Sequence, residues 1–279
     1  MGADIKKLRV RIRSIDSTLH LTKAMGLVAS SKIRRANEAM NAANSYIEAA
    51  DEMIARLTED PVCRRSPYLR ESEGKRLRLI VIAGDRGLAG GYNNGIFRTV
   101  RDMELPEDTE IIPIGKKACD RYGEGYISAE TFTYEEADEL AETLCRDFAE
   151  GKFDRAAVVS TEYINLMSQQ PMITELLPLS CEKPENQTEE KSGGEEASFV
   201  YEPSESEILE SFIPQYIAAS IIARVRESFA SEVSARRVAM DSAGKNAKQM
   251  IDDLQLEYNR ARQAIITQEI TEIVAGAGE

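Results

Sequence analysis

The segment from Glu207 to Ala275 limits the possible folds most, because its pattern is that of one long amphipathic helix. It has no glycine except Gly244 and no proline except Pro214. At 1.5 Å per residue such a helix would be about 100 Å long, so it needs a helical partner to cover its apolar stripe. Its apolar or small residues recur at the steps of a heptad seam: Ala230, Val233, Met240, Ala247, Ile251, Leu254, Tyr258, Ala261 and Ile265, with Arg237 and Gly244 as interruptions.

The first segment of the chain supplies that helical partner. The small residues in the middle of its own seam would allow two helices to approach closely. A homodimeric zipper of this segment alone is the alternative, and it is disfavoured because few leucines occupy the d positions. We therefore expect the two terminal helices to pair in antiparallel fashion. The register runs without a slip through Ile5, Leu8, Ile12, Ile15, Leu19, Thr22, Gly26, Ala29, Ile33, Ala36, Met40, Ala43, Ile47, Ala50, Ile54 and Leu57.

The middle of the chain alternates between strand and helix patterns. A linker at 59–75 precedes an apolar strand pattern, Leu77–Ala83, which leads into a glycine-rich turn, Gly84–Asn93, and then a helix to about Met103. Such alternation indicates a βαβ domain with a mainly parallel, Rossmann-like sheet. Further strands are predicted at 110–114, 125–132, 156–161, 172–178 and 198–201, and further helices at 116–122 and 134–150.

The predicted fold class is α/β: a long antiparallel coiled coil of the N- and C-terminal helices with an inserted, mainly parallel βαβ domain. The predicted divisions are a coiled-coil helix at 1–58, the α/β insert at 75–203 and a second coiled-coil helix at 205–279. Within the insert, residues 182–197 are acidic and rich in turn-forming residues. We interpret them as a solvated or disordered loop.

The sequence predicts no catalytic residue, no metal site and no cofactor. The glycines at 84–91 match neither the P-loop spacing nor the dinucleotide G-x-G-x-x-G, so direct nucleotide binding is not expected. His20 is the single histidine, and the four cysteines form no C-x-x-C pair. A net charge of −13 disfavours nucleic acid as a partner. No uninterrupted apolar run reaches the length of a membrane span.

Two surfaces call for a partner. Residues 1–36 carry nine basic side chains against two acidic ones, which is either a solvated helix face or a contact with acidic protein loops. The C-terminal helix is also longer than the N-terminal one, and the end that would extend beyond the pair is apolar: Ile265, Ile266, Ile270, Ile273 and Val274. An isolated apolar helix would aggregate in water, so we expect this end to lie inside another protein.

Three stretches together resemble the γ subunit of the F-type ATP synthase. They are IRSIDSTLHLTKAMGLVASSK at 12–32, DRGLAGGYN at 85–93 and LQLEYNRARQAIITQEITEIVAGA at 254–277. Two features depart from the family pattern. Gly26 stands where the family usually has an acidic or polar residue, and the acidic 182–197 segment is unusual.

The resemblance implies a noncatalytic central rotor shaft that couples ion-driven rotation of the membrane ring to conformational change in the catalytic β subunits. The implied partners are the α and β subunits of the catalytic ring, the ε subunit and the membrane c-ring. The implied location is peripheral, on the cytoplasmic face of the bacterial cell membrane. By the same resemblance the contacts with β subunits are Lys23, Met25, Arg236, Arg262, Gln263, Thr267 and Glu269.

A noncatalytic coiled-coil adaptor with a protein-binding α/β domain is the alternative interpretation. It shares the two helices and the insert, but it gives no reason for an apolar end on one helix alone. A nucleotide-dependent enzyme is the third interpretation, and the glycine spacing disfavours it.

Overall fold

The computed structural model describes residues 2–59, 61–69, 74, 76–123, 128–179 and 204–276. The predicted strand at 198–201 and the acidic 182–197 segment lie outside these residues. The chain forms two compact units. One contains the residues up to Lys32 and those from Arg236 onward, and the other is Ile33–Ala235. The three-part division made from the sequence remains a prediction.

The terminal helices are long, and they pack together. Helix α1 is Gly2–Glu59, and helix α5 is Glu205–Gly276 with Pro214 inside it. Ser204 precedes α5, and its Oγ accepts a hydrogen bond from Glu207 N at 3.4 Å. The predicted seams are buried at Leu19, Thr22, Ala29, Ala36, Met40, Ala50, Ile54 and Leu57 of α1 and at Ala230, Val233, Met240, Ala247, Ile251 and Leu254 of α5.

The pairing of α1 with α5 is antiparallel in each unit. In the unit of the chain ends, Arg9 donates a hydrogen bond to the Tyr258 hydroxyl at 2.7 Å, and Gly26 lies against Met240. In the other unit, Met40 and Ala230 belong to one buried cluster, and the Tyr216 hydroxyl donates to Asp51 at 2.7 Å. Facing residue numbers thus rise on one helix as they fall on the other, which confirms the antiparallel coiled coil.

The inserted sheet has the order β2-β1-β3-β4, and β1 is parallel to both β2 and β3. Strand β4 pairs with β3 in antiparallel fashion, so the sheet is mixed, and two of the three pairings among the described residues are parallel. The elements are β1 (Leu77–Ile82), α2 (Tyr92–Asp102), β2 (Thr109–Ile114), α3 (Lys116–Tyr122), α4 (Tyr134–Ala149), β3 (Arg155–Asn165) and β4 (Ser168–Leu177), with two short 3-10 helices, Cys63–Arg65 and Pro67–Leu69, before β1.

The strand predicted at 125–132 is wrong for the residues that the structure describes there. Residues 129–131 form a turn, 128 and 132 belong to no strand, and 124–127 lie outside the description. The side chain of Asp85 explains the turn, because its carboxylate accepts hydrogen bonds from the Ser128 hydroxyl and from the amides of Ala129 and Glu130. These bonds bind the segment to the loop after β1 and leave no strand partner for it.

Each face of the sheet carries its own core. Residues of α4, α5 and the end of α1 cover one face, with Ile82, Val158, Leu57, Leu144 and Ile213 among the buried side chains. Helices α2 and α3 cover the other face, around Leu79, Val81, Val159, Ile96 and Ala118. Both faces of the central strands are therefore apolar, as expected of a parallel sheet with helices on both sides.

Helix α5 is long and apolar enough, by length and composition, to cross a membrane, although the sequence has no uninterrupted apolar run of that length. Half of its most apolar window is buried within the chain. Leu209, Ile213, Ile217, Ile221 and Val225 all belong to the core on the sheet. This pattern is typical of a helix that covers a sheet.

Candidate functional site

The strand order creates a crevice at the carboxyl ends of β1 and β3. Strand β1 has β2 on one side and β3 on the other, so the connections that follow these strands leave in different directions. Sheets of this kind bind their ligands outside the carboxyl ends of the strands at such a switch point. We call this place the switch-point crevice. It comprises the loop that follows β1, which begins at Gly84, and the end of β3 from Thr161 onward.

In this chain, α5 lies against the switch-point crevice. The pairing of β3 with β1 ends at Val159, so β3 continues beyond its neighbour. The amide of Thr161 donates to Ser228 Oγ at 3.0 Å, and the amide of Tyr163 donates to Glu227 Oε1 at 3.2 Å. Side chains of α5 therefore take backbone groups that a neighbouring strand would otherwise satisfy.

Three further contacts hold the same stretch of α5. The Tyr92 hydroxyl of α2 donates to the backbone carbonyl of Ser228 at 3.0 Å, and Ser231 Oγ donates to Thr161 O at 3.4 Å. Glu232 is buried and packs against Gly84, where a Cβ would lie only 2.6 Å from Glu232 Oε1. Gly84 is therefore required for the close approach of α5.

Two hydrogen bonds fasten the glycine-rich loop, one from the amide of Gly84 and one to the side chain of Asp85. Asn93 Oδ1 accepts a hydrogen bond from Gly84 N at 2.9 Å, and Asp85 accepts one from Lys116 N at 3.1 Å. In nucleotide-binding loops such amides face a phosphate. Leu88 and Gly90 have positive φ of 62° and 59°, so this part of the loop makes a tight turn. The loop is thus built to fasten elements together.

The groups around this crevice do not form a catalytic arrangement. Arg226 donates to the carbonyl of Phe132 at 2.7 Å, and burial lowers the pKa of its guanidinium. Glu227 accepts a hydrogen bond from Arg224 at 2.6 Å. Within the described ranges, no group of three histidine, cysteine or carboxylate side chains could hold a metal ion. The arrangement pairs the buried side chains of Glu227, Ser228 and Ser231 with backbone groups of β3. The buried hydroxyls of Thr161 and Ser234 have no hydrogen-bond partner among the residues that the structure describes.

The predicted contact residues fall into two places on the unit of the chain ends. Lys23 and Met25 lie on α1, the former exposed and the latter half-buried. Arg236 is half-buried on α5 and already has an interaction within the chain. The neighbouring Arg237 covers Gly26, where a Cβ would lie 2.9 Å from Arg237 Nη1. A side chain at position 26 would therefore press on the end of the long Arg237 side chain. We call the place formed by Lys23, Met25, Arg236 and Arg237 the basic collar.

A groove of about 470 Å³ runs beside the basic collar. Thr22, Lys23, Leu27, Arg237, Lys245 and Lys248 are among its lining residues. Its mixture of apolar walls and cationic side chains fits the prediction that this part of α1 faces an acidic partner. Lys6, Lys7, Arg9, Arg11 and Arg13 of the same helix are exposed as well.

The second place is the end of α5. Arg262, Gln263, Thr267 and Glu269 are all exposed. So are the apolar side chains of this end, from 43% at Ile266 and 56% at Ile270 to 70% at Ile273 and 67% at Val274. At 1.5 Å per residue Arg262 lies about 40 Å along the helix from Arg236 of the basic collar, so the structure does not join the seven predicted residues in one site.

The sequence analysis missed the polar residues of α5 at the switch-point crevice. Ser228, Ser231 and Ser234 recur every three residues, directly after the apolar stretch that covers the sheet. Glu227 precedes the first of these serines and Glu232 follows the second. All five are buried. Serine and glutamate side chains that cluster in this way on an otherwise apolar part of a helix indicate that the helix meets polar groups of another element there.

The ATP synthase family matches residues 4–278 of the chain. The ATP synthase gamma chain of Desulforamulus reducens is 38% identical over 287 aligned residues, which cover 99% of this chain and 98% of that protein.

Solved structures show the same fold at lower identity. A chain of the Euglena gracilis mitochondrial ATP synthase, from a structure of its OSCP, F1 and c-ring, aligns with a TM-score of 0.67 at 19% identity, over 99% of this chain and 94% of that chain. A chain from the central stalk and c-ring of the Tetrahymena thermophila mitochondrial enzyme aligns with a TM-score of 0.60 at 20% identity, over 80% and 99%.

Proposed function

This chain belongs to the family of ATP synthase gamma chains, and on that premise we propose which of its surfaces contact the other subunits. A gamma chain is the noncatalytic central shaft of the F-type ATP synthase. Its rotation couples ion flow through the membrane ring to ATP synthesis and hydrolysis in the catalytic subunits. The F1 sector to which it belongs is peripheral to the membrane.

The proposed partners are the α and β subunits, the ε subunit and the membrane c-ring, on the cytoplasmic face of a bacterial membrane. The matched chains belong to solved assemblies that contain F1 and the c-ring in one case and the central stalk and c-ring in the other. The division into helix 1–58, insert 75–203 and helix 205–279 is the one we propose for function. In it the insert contacts ε and the c-ring, and the paired helices contact the catalytic ring.

The exposed apolar end of α5 carries this proposal. Ile266, Ile270, Ile273 and Val274 are large apolar side chains on one helix, and more than two-fifths of each is exposed. Each would gain about 25 cal/mol for every Å² of apolar surface that a partner covers. A ring of catalytic subunits with an apolar inner surface would provide such cover.

The predicted polar contacts lie on the same end of the helix and at the basic collar. We propose that Arg262, Gln263, Thr267 and Glu269 contact β subunits near the apolar end. Lys23, Met25 and Arg236 would meet acidic loops of the β subunits, with Arg237 as an additional cation at the collar. The exposed basic side chains of α1 complement such loops in charge.

Rotation requires that the shaft contact the β subunits unequally. A ligand shifts a conformational equilibrium only by its difference in affinity for the two states, so uniform binding to three β subunits would drive nothing. One charge that crosses 100 mV supplies about 2.3 kcal/mol, and several ions must therefore act together on one ATP. Two helices packed along their length can transmit the work of several ions to the catalytic subunits without unwinding.

The test removes two polar contacts without disturbing the helix. In a complex reconstituted from this chain with α and β subunits, Gln263→Ala with Thr267→Ala should lower the coupled ATPase rate severalfold. The Thr267 hydroxyl bonds only the Gln263 carbonyl of its own helix, at 2.9 Å, among the bonds described.

Thr18→Ala is the matched control, because its hydroxyl makes the same kind of bond, to Ser14 O at 3.1 Å, on the exposed face of α1. This variant should leave the rate unchanged. Equal rates for the double variant and the control would count against the proposed contacts at the end of α5.

A further inference from the structure

Within the proposed shaft function, we propose that the switch-point crevice is a rotational lock that fixes α5 to the insert. Glu227, Ser228 and Glu232 are its positioning residues on the helix, and Tyr92 and Thr161 are its partners on the insert. The lock makes the insert and α5 turn together. It rests on the proposed function, because only a rotating shaft would load this joint.

The contacts between α5 and the insert would bear a load, because the proposed partners act on different parts of the chain. The membrane ring would act on the insert, whereas the catalytic subunits would resist at the paired helices. A twist between them passes through the contacts that join α5 and the end of α1 to the insert. Below the crevice those contacts are apolar, at Ile213, Ile217 and Ile221. Packing of these side chains resists rotation of α5, because rotation would expose them, but apolar attraction itself does not depend on the angle of a bond.

Hydrogen bonds at the crevice supply the missing directionality. A hydrogen bond weakens steeply as its angle departs from linear, so a small rotation of α5 would lengthen or bend the bonds from Thr161 N to Ser228 Oγ and from Tyr163 N to Glu227 Oε1. These acceptors meet backbone groups of a strand in the sheet, which cannot follow the helix. Rotation would therefore leave buried donors unsatisfied.

The Tyr92 hydroxyl holds the helix in a second way. It donates to the carbonyl of Ser228, which belongs to the helix backbone and cannot move by a change of rotamer. On the other side of the loop, Glu232 is seated against Gly84 without room for a Cβ. The helix is thus held through its backbone at one point and through a buried side chain one turn later.

The variants remove these bonds one at a time. Ser228→Ala deletes the acceptor for Thr161 N, and Tyr92→Phe deletes the donor to Ser228 O. Ser220→Ala is the matched control on the same helix, because the Ser220 hydroxyl bonds only Tyr216 O of its own helix, at 2.8 Å, among the bonds described. All are made in the full chain and assembled with α and β subunits.

The measurement is the angular stiffness of the joint. A bead is attached to the insert through Arg101→Cys at an exposed position, the catalytic ring is fixed to a surface, and rotation is arrested with ADP. We expect the variance of the bead angle to rise at least twofold in Ser228→Ala with Tyr92→Phe, and to stay unchanged in Ser220→Ala. The ATPase rate without external load should change little in all of them.

An unchanged variance in the double variant would overturn the lock. If the double variant does not assemble, Tyr92→Phe alone, which changes a single oxygen atom, decides the question by the same criterion. A bead that fails to rotate on the unaltered chain during ATP hydrolysis would instead refute the proposed shaft function. The two failures are therefore distinguishable.

Discussion

The two ends of helix α5 carry similar apolar side chains in opposite surroundings. Near its start, Leu209, Ile213 and Ile217 are completely buried against the sheet. Near its end, Ile270 and Ile273 are more than half exposed. The start of the helix thus stabilises the folded chain, whereas the end exposes apolar surface that a partner subunit could cover. Apolar content alone does not tell a core helix from a docking helix; the difference is what covers it.

Thiol reactivity should show the largest contrast between the two regions. Cys145 lies in the core that covers the start of α5, and burial raises the pKa of its thiol to about 12. An exposed thiol has a pKa near 8.5, so at pH 8 the thiolate of Cys145 should be about a thousandfold scarcer than that of a cysteine placed by Ile270→Cys. Alkylation followed by peptide mass spectrometry measures both rates.

Similar alkylation rates at the two positions would mean that the core around Cys145 opens readily. In the assembled complex, the cysteine from Ile270→Cys should become protected. Continued fast reaction there would show that the end of α5 remains in water, against the proposed docking.

Truncation of a core side chain should have the next largest effect. Ile213→Ala should lower the free energy of unfolding of the full chain by about 2–5 kcal/mol, because it leaves a cavity against the sheet. Ile270→Ala should change it by about 0.5 kcal/mol or less, as is usual for exposed positions. Urea denaturation followed by circular dichroism compares the two variants. If Ile270→Ala destabilised the chain more than Ile213→Ala, the end of α5 and not its start would be the part that stabilises the fold.

Glycine substitutions test how closely α5 approaches the loop after β1. Gly84→Ala should destabilise the chain by about 1–3 kcal/mol, since its Cβ would press on the buried Glu232. Gly87→Ala is the control, because no atom lies within 4 Å of its added Cβ. Thermal unfolding of both variants gives the difference. A tolerated Gly84→Ala would show that α5 is not tightly seated there.

The smallest effect concerns pH. Hydrogen bonds from Lys152 and then Arg78 lower the pKa of Asp147, whose side chain is mostly buried on α4. A lowered folded-state pKa adds stability above the unfolded value of 3.8, and this stability is lost as pH falls through the folded value. Asp147→Asn should therefore unfold at a lower denaturant concentration at pH 7 and lose less stability than the unaltered chain on acidification to about pH 3.

Asp241 provides the comparison from the other unit. Its pKa is also lowered, by the hydrogen bond from Lys245, but both side chains are at least half exposed. Solvent screens such a pair, so Asp241→Asn should leave the pH dependence nearly as it is. If the two substitutions flattened the pH profile equally, burial would not be what distinguishes the two carboxylates.

The two long helices and the family could be predicted because each rests on a local pattern. The heptad register names the seam residues, and the structure buries Leu19, Met40, Ala230 and Ile251 as the register requires. The resemblance drawn from the terminal and central motifs is confirmed by the family match and by the Desulforamulus relative. The predicted contacts with β subunits remain predictions, since no partner chain is present to test them.

The strand at 125–132 could not be predicted correctly, and the contacts at the switch-point crevice could not be found, for one reason. Both depend on residues far apart in the chain, with Asp85 organising the turn at 129–131 and Ser228 satisfying the end of β3. A local pattern records which residues prefer a strand or a helix. It does not record which distant donor is left without a partner.

The helices, their seams and the family follow from the amino-acid pattern, because heptad spacing and motif order are properties of neighbouring residues. The folded chain was needed to show that α5 lies against the crevice where related sheets bind ligands, and that Gly84 lies against Glu232 and Gly26 against Arg237. The physical reason is packing. The space beside a glycine, and the donor that faces a buried carboxylate, are set by chain segments brought together only on folding.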